Sequence, residues 1–359
     1  MRILVAGDWH SELHEEAVYQ AFCELGHEVQ RFSWYGYFCP STGLSRVLLP
    51  LLKAQKKYQW GPQVSRLNAE LIALAAARQP DIVFVYRGTH IHALTLQRIR
   101  DAVPGVKLLG YNNDDPFSEH YPQWLWRHFR GGLSCYDLVF AYRQHNLQEL
   151  SAAGARQVAL LRSWFMPGRN YPTSLNAEDT ARYACDVVFV GHYEDDGRLE
   201  YLEEVVRQGW RLRLFGPGYE WDRVLSRRPV LSHLAPVNLV WGEDYNKALC
   251  GAKVALCFFS RLNRDTYTRR CFEIPASGTV LFSEYSDDLS TLYSDGEEAI
   301  LFKSRMEFRD KLKFVLSDEK RRQQIARSGL ERVWRDGHDV VSRMRDVLAQ
   351  AAALPESAP

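Results

Sequence analysis

Net charge is nearly absent from this 359-residue sequence: 45 Lys and Arg face 44 Asp and Glu, leaving +1 at pH 7. No global field draws nucleic acid or an acidic polymer to such a chain, which argues against a general nucleic-acid binder. Cysteine motifs are missing as well. The seven cysteines (Cys23, Cys39, Cys135, Cys185, Cys250, Cys257, Cys271) form no C-x-x-C pair and no Cys/His cluster with zinc spacing. Most lie among apolar neighbours, as Cys257 does in Val254–Phe259, where a reduced thiol packs as a small hydrophobe. No apolar run approaches the roughly 18 residues a membrane span needs. The opening MRILVAGDWH enters a strand pattern with no signal-peptide core, so a soluble, cytoplasmic protein is expected. Two nucleotide motifs are absent. No G-x-G-x-x-G follows the first strand, where Gly7 stands alone, and no G-x-x-x-x-G-K-[ST] occurs anywhere. NAD enzymes and P-loop ATPases are disfavoured accordingly.

What is present is ordinary globular composition, 46% hydrophobic and 25% charged, with 10 Trp, 18 Tyr and 17 Phe. Short apolar runs alternate with amphipathic stretches. Met1–Ala6, His27–Phe32, Asp81–Tyr86, Val106–Tyr111 and Asp137–Ala141 read as strands, with helices over about Glu12–Leu25 and His145–Ala152. At Trp164–Pro172 two prolines and a glycine break the rhythm, and a polar stretch follows. The pattern then restarts, with strands at Asp186–Val190, Arg211–Phe215, Val237–Trp241, Val254–Phe259 and Val280–Phe282, and a helix over Arg198–Gln208. Strand–loop–helix repetition gives parallel sheets wound by helices. The expected class is α/β, with two Rossmann-like doubly wound domains facing across a cleft and closing helices over Glu307–Leu316 and Asp318–Gln350. The boundaries are 1–165, a linker at 166–182, a second domain at 183–335, a closing helix at 336–353 and a disordered tail at 354–359.

The richest segment is Ser260–Leu281, which follows a strongly apolar strand and so lies where α/β folds bind ligands. Arg264, Arg269 and Arg270 crowd beside a helix start that Thr266 or Thr268 would cap. Guanidinium groups at a helix N-terminus suit a diphosphate without a metal. Glu273 lies one turn beyond Arg270, and Pro275 is expected to shorten or kink the helix. The plainer reading of the pair is a surface Arg270–Glu273 ion pair.

Arg270-x-Phe-Glu273-Ile-Pro-Ala-Ser-Gly278, with Glu284-Tyr285 and Asp295-Gly296-Glu297-Glu298, resembles the signature of CgeB-like (spore-maturation) proteins, which belong with the group-1 glycosyltransferases of GT-B fold. Ile325-Ala326-x-x-Gly329, Trp334–Arg343, Pro80–His90 and Tyr111–Pro116 resemble further parts of that family. The resemblance implies a metal-independent transfer of a sugar from a nucleoside-diphosphate sugar, most simply a UDP-sugar, with no further cofactor. The acceptor would be a glycan, a lipid-linked glycan or a protein, as in polysaccharide biosynthesis. It also implies that the closing helix packs back on the first domain. Retaining members of the wider group carry two glutamates eight positions apart. Glu273 matches the second and Asp265 stands at the first, which leans toward retention. Arg269 and Arg270 would face the diphosphate and Glu273 the ribose, while Gly191, His192, Gly216 and Tyr245 lie in loops able to touch the donor.

The N-terminal candidates all follow expected strands. Asp8, Arg87, His90 and Asn113 are acceptor-binding candidates, and Asp114, Asp115 or His10 would serve as base in an inverting reaction. Adjacent carboxylates on an extended chain point opposite ways, so Asp114 and Asp115 are not expected to share a metal. The segment 44–58, with Arg46, Lys53, Lys56 and Lys57 among leucines around an interrupting Pro50, either rests on the inner face of an anionic membrane or packs on the domain. Two rival functions remain: a nucleotide-sugar epimerase of the same fold, and a non-catalytic nucleotide-sugar or glycan-binding protein.

Overall fold

The computed structural model describes residues 1–39 and 48–355. It divides into two compact units, Met1–Arg162 with Val340–Pro359, and Ser163–Asp339.

The first unit is built on six parallel strands: β1 (Arg2–Gly7), β2 (Glu28–Ser33), β3 (Ile82–Tyr86), β4 (Lys107–Asn112), β5 (Leu138–Ala141) and β6 (Val158–Leu160). Their order is β2-β1-β3-β4-β5-β6, with Ile3 between Val29 and Ile82 in the register. All five residues of β3 are buried, as expected of a central parallel strand covered on both faces. Leu4, Val83, Val85, Leu108 and Val139 from the sheet pack with Leu67, Leu71, Leu96 and Ile99 from helices Pro62–Arg78 and Ala93–Ala102. The last helix, Val340–Ala352, lies against helix Glu15–Glu24 of this unit, and Lys107 Nζ donates to Ala351 O at 2.7 Å.

The second unit has five parallel strands in the order β11-β10-β9-β7-β8. They are β7 (Cys185–Val190), β8 (Leu212–Phe215), β9 (Ala252–Cys257), β10 (Val280–Glu284) and β11 (Ile300–Phe302). One end of its core is aromatic. Phe302 lies 5.4 Å from Phe282, 5.0 Å from Phe308 and 5.3 Å from Tyr201, ring centre to ring centre. Side-chain caps start the two helices on either side of Ser317. Ser304 Oγ accepts from Glu307 N at the start of Arg305–Ser317, and Asp318 Oδ1 accepts from Arg321 N at the start of Glu319–Arg335.

Four expectations need correction. Val237–Trp241 is not a strand, since one bridge joins Asn238 to Phe215 and Leu239 and Trp241 are exposed. Pro236 lacks an N–H, and Gly242 turns the chain at φ 58, so no ladder can extend. Residues 166–182 are no loose linker. They belong to the second unit, where Asn246 clasps Tyr171 through its N–H (3.3 Å) and its carbonyl (2.8 Å), and Asn176 caps helix Ala177–Tyr183. Proline and glycine break periodicity there without leaving the backbone unpaired. At the C-terminus, Leu354 is buried rather than part of a disordered tail; residues 356–359 lie outside the described residues. Finally, Pro50 does not interrupt a helix. It occupies the first turn of Leu49–Tyr58, where a missing N–H costs nothing, while Arg46 and the rest of 44–47 lie outside the described residues.

The edge strands β6 and β11, three residues each, were too short to show periodicity. Phe302 on β11 nevertheless sits at the centre of the aromatic cluster. Phe302→Ala is expected to cost about 3–5 kcal/mol in urea unfolding, as for other buried aromatic truncations. A loss under about 1 kcal/mol would show that the cluster collapses around the gap.

Candidate functional site

In the second unit, the loop after β7 meets the start of helix Arg270–Ala276. Gly191 follows β7, and its N–H donates to Phe215 O at 2.9 Å. A Cβ on Gly191 would lie 3.2 Å from Arg270 Nη1 and 3.1 Å from Phe189 Cζ, so the guanidinium packs directly on glycine backbone. Gly216, after β8, is more constrained: a Cβ there would fall 2.2 Å from Gly191 O and 2.7 Å from Trp221 Nε1. Trp221 Nε1 itself donates to Gly191 O at 2.9 Å. Gly216 is therefore needed for close approach of chain to chain, while Gly191 lets the Arg270 guanidinium pack close to the backbone.

Glu273 is 5% exposed, and both of its oxygens are held. Tyr245 donates its hydroxyl to Oε2 at 2.6 Å, and Arg269 Nε pairs with Oε1 at 2.9 Å. Burial and the neighbouring carboxylate push the Tyr245 pKa well above its ordinary value, so it stays a donor. Arg270 is not part of a surface pair: its Nε is buried with no hydrogen-bond partner among the described residues. A buried cationic donor left open calls for an acceptor from outside.

The helix that carries these groups differs from expectation at its start. Neither threonine caps it, since Thr266 Oγ1 donates to Asp288 and Thr268 Oγ1 contacts Cys257 Sγ. The cap position is Arg269, without a side-chain bond. Pro275 lies inside the helix, which ends one residue later at Ala276. Its missing N–H would have bonded the carbonyl of Cys271, and the Tyr293 hydroxyl donates to that oxygen at 2.8 Å instead. Asp265 is half-buried and braces its loop by donating its N–H to Ser260 O at 2.8 Å.

His192 is exposed, with Nδ1 3.0 Å from Glu220 Oε1. Glu220 also accepts from Tyr193 N at 3.1 Å. Partial burial opposes its charge, but the His192 and Tyr193 contacts outweigh this and hold its pKa below the ordinary value. Glu220 and Trp221 shape this loop, yet neither belonged to a motif. Only the Gly216-Pro217-Gly218 turn just before them pointed there.

In the first unit the candidates separate by environment. Asp8 faces His10 Nδ1 at 3.4 Å and Lys56 Nζ at 3.8 Å. His10 is exposed, and the bond to Asp8 is the main cause raising its pKa. Gly7 is required because a Cβ would lie 2.2 Å from Cγ of buried Glu15, whose Oε1 accepts from Asp8 N at 2.9 Å. Asp114 pairs with Arg87 Nη2. Asn113 keeps Oδ1 buried without a hydrogen-bond partner among the described residues.

Asp115 does not fit a catalytic role. It is fully buried and accepts from Phe117 N (3.0 Å), Asn146 Nδ2 (3.1 Å) and His145 Nε2 (3.3 Å), so it anchors its loop. Asp115, His145 and Glu149 offer ligand atoms within 4.8 Å of one another. Asn146 Nδ2 donates to both carboxylates, 3.1 Å to Asp115 and 2.7 Å to Glu149, so an N–H occupies the position a cation would need.

His90, an acceptor-binding candidate, has both ring nitrogens engaged within the protein. It is buried, with Nε2 3.0 Å from Lys56 O and Nδ1 2.9 Å from Thr89 Oγ1. Burial pushes its pKa from 6.5 down to about 4. The unfolded chain then takes up a proton that the folded chain refuses, so stability is full above about pH 6.5 and falls toward pH 4. His90→Gln should remove up to roughly 3 kcal/mol of that acid-side loss, read as the difference between urea unfolding at pH 7 and pH 4.5. The same pH slope in wild type and variant would show that His90 is not the group responsible.

Residues 198–349, less than half the chain, match a family model described as glycosyl transferase-like. No curated protein matches the sequence. Among solved structures, Anabaena HepE in complex with UDP-glucose is similar at 14% identity, TM-score 0.66, over 99% of this chain and 100% of that one. Sucrose-phosphate synthase from Thermosynechococcus elongatus gives 13% identity and TM-score 0.68, with the same coverage. Trehalose 6-phosphate synthase from Burkholderia multivorans gives 15% and 0.63, over 98% of each. The fold is therefore that of the GT-B glycosyltransferases, two parallel-sheet α/β domains, and the family match within it supports a glycosyltransferase.

Proposed function

We propose that the protein transfers a sugar from a UDP-sugar to an acceptor hydroxyl, with the donor held in the second unit. The observation that carries this reading is the arrangement of Arg270, Gly191 and Glu273. A guanidinium lies 3.2 Å from where a Gly191 side chain would start, its Nε is buried and unpartnered, and a carboxylate one turn away is fixed by Tyr245 and Arg269. A diphosphate supplies the missing acceptor oxygens, and the two arginines supply positive charge. That charge matters most as the glycosidic bond breaks, because the departing diphosphate gains negative charge in the transition state. Glu273, held by its two partners, presents a fixed carboxylate edge to a ribose hydroxyl.

UDP as the nucleotide follows the HepE structures, which contain UDP-glucose, UDP with glucose, or UDP. The Asp265/Glu273 spacing supports retention of anomeric configuration as the finer reading.

Thermal denaturation with UDP, GDP, dTDP and CMP tests this. UDP at 100 times its dissociation constant should stabilise the wild type by about 2.7 kcal/mol. Arg270→Ala should lose the UDP response, and Glu273→Gln should weaken it by about 1–3 kcal/mol through a lost charge-assisted hydrogen bond. A UDP response unchanged in Arg270→Ala would place the nucleotide elsewhere, and no response to any of the four would sink the donor site.

A further inference from the structure

The first unit contains a cavity of about 380 Å³ that is lined by Asp8, Lys53, Lys56, Lys57, Arg87 and Trp124, among others. Four cations thus meet one carboxylate in a chain whose overall charge is only +1. The cavity opens where β1 and β3 end, the side on which α/β sheets bind ligands. Its size falls within the roughly 300–1,000 Å³ of small-molecule pockets.

Two independent features indicate a built site. Gln59 is 1% exposed and lines the cavity; its Nε2 donates to Leu125 O at 2.7 Å, while Oε1 is buried with no hydrogen-bond partner among the described residues. Gln59 and Arg87, both lining residues, also hold left-handed backbone at φ 53 and φ 64, although neither is glycine. Such strain persists where the surroundings over-determine it, and it concentrates at ligand sites.

The chemistry of the lining defines the ligand. Arg87 spends part of its charge on Asp114, and Lys56 part on Asp8. Lys53 has no ion pair among the described residues, and Lys57 has only the Tyr58 ring, 5.3 Å from its Nζ. Both lysines are exposed and, with Lys56, they concentrate positive charge on one side of the cavity, which favours an anion. Gln59 Oε1 and Asp8 Oδ1, neither hydrogen-bonded among the described residues, need O–H donors. We propose that this pocket binds a phosphate ester of a polyhydroxylated molecule, the phosphoryl group on Lys53, Lys56 and Lys57 and the hydroxyls toward Asp8 and Gln59. This rests on the glycosyltransferase reading in one respect: the ester is the acceptor, so the acceptor is a phosphorylated sugar, free or carried on a lipid headgroup. Phosphate monoesters carry about −1.5 to −2 at pH 7, a good match to several ammonium groups on flexible stems.

Lysine acetylation of the full-length protein, followed residue by residue by mass spectrometry, reads the pocket directly. The probes are glucose 6-phosphate, inorganic phosphate, glucose, and phosphatidylcholine vesicles with and without phosphatidylinositol. Glucose 6-phosphate near twice its dissociation constant should slow acetylation of Lys53, Lys56 and Lys57 about threefold. Inorganic phosphate should do so more weakly, glucose not at all, and Lys253 and Lys313 should be unaffected. Lys53→Gln combined with Lys57→Gln should abolish protection of Lys56. Protection by phosphatidylinositol vesicles and not by the soluble phosphates assigns the ester to a lipid headgroup; protection by glucose 6-phosphate assigns it to a free sugar phosphate. Equal rates with every probe, or equal protection by glucose, overturn the proposal. The UDP thermal shift on the same preparations separates the two readings. A UDP shift without lysine protection sinks the pocket alone, and protection without a UDP shift leaves the pocket standing while the donor site falls.

Discussion

Arg269 and Arg270 begin one short helix side by side, and the balance of their two positive charges organises the second unit. Glu273 answers Arg269 at 2.9 Å, and Tyr245 holds the other carboxylate oxygen at 2.6 Å. With both oxygens of Glu273 engaged, Arg270 is left to lie against Gly191. A side chain at 191 would crowd that position, with its Cβ 3.2 Å from Arg270 Nη1. The loop stays in place because Gly216 in turn lets Trp221 reach the Gly191 carbonyl. The placement of the Arg270 guanidinium, its Nε buried and unpartnered among the described residues, thus involves two glycines, a tryptophan and a tyrosine from four different segments.

The helix itself is costly to make. It is seven residues long, has no side-chain cap and contains Pro275. Tertiary partners replace what it lacks. The Tyr293 hydroxyl takes the carbonyl that proline frees, and Ser277 Oγ donates to Glu273 O (2.9 Å) and Asn246 Oδ1 (2.8 Å). A site on such an element is positioned by its surroundings rather than by helix propensity, which is how strained geometry survives where chemistry needs it.

The first unit uses charge differently. There, His90 and Asp115 are buried with their polar atoms hydrogen-bonded, while the groups able to meet a ligand surround the cavity at the strand ends. Sequence order placed Asp114 next to Asp115, but the backbone sends one to Arg87 and the other into the core. Their roles diverge because the chain bends after β4 and turns the two side chains into different surroundings.

The sequence by itself was enough for the class of fold. Apolar runs of strand length followed by amphipathic stretches specify parallel sheets, and the run before Ser260 puts Arg269, Arg270 and Glu273 at a strand's carboxyl end. The expected boundary between Leu316 and Asp318 falls where Asp318 caps the next helix. The threonines before Arg270 misled because Asp288 and Cys257 compete for their hydroxyls, and no spacing rule reveals a competitor 11 or 22 residues away. Val237–Trp241 misled because apolar content does not say whether a neighbouring strand is there to pair with. Glu220 and Gln59 had no motif at all, and the basic stretch with Lys53, Lys56 and Lys57 did not point to a cavity. They acquire meaning only from distance in space, since burial, an unpartnered oxygen or a left-handed glutamine are properties of the packed chain. Residue type and order decided what could be built; only tertiary packing decided which guanidinium, carboxylate or amide was left without a partner.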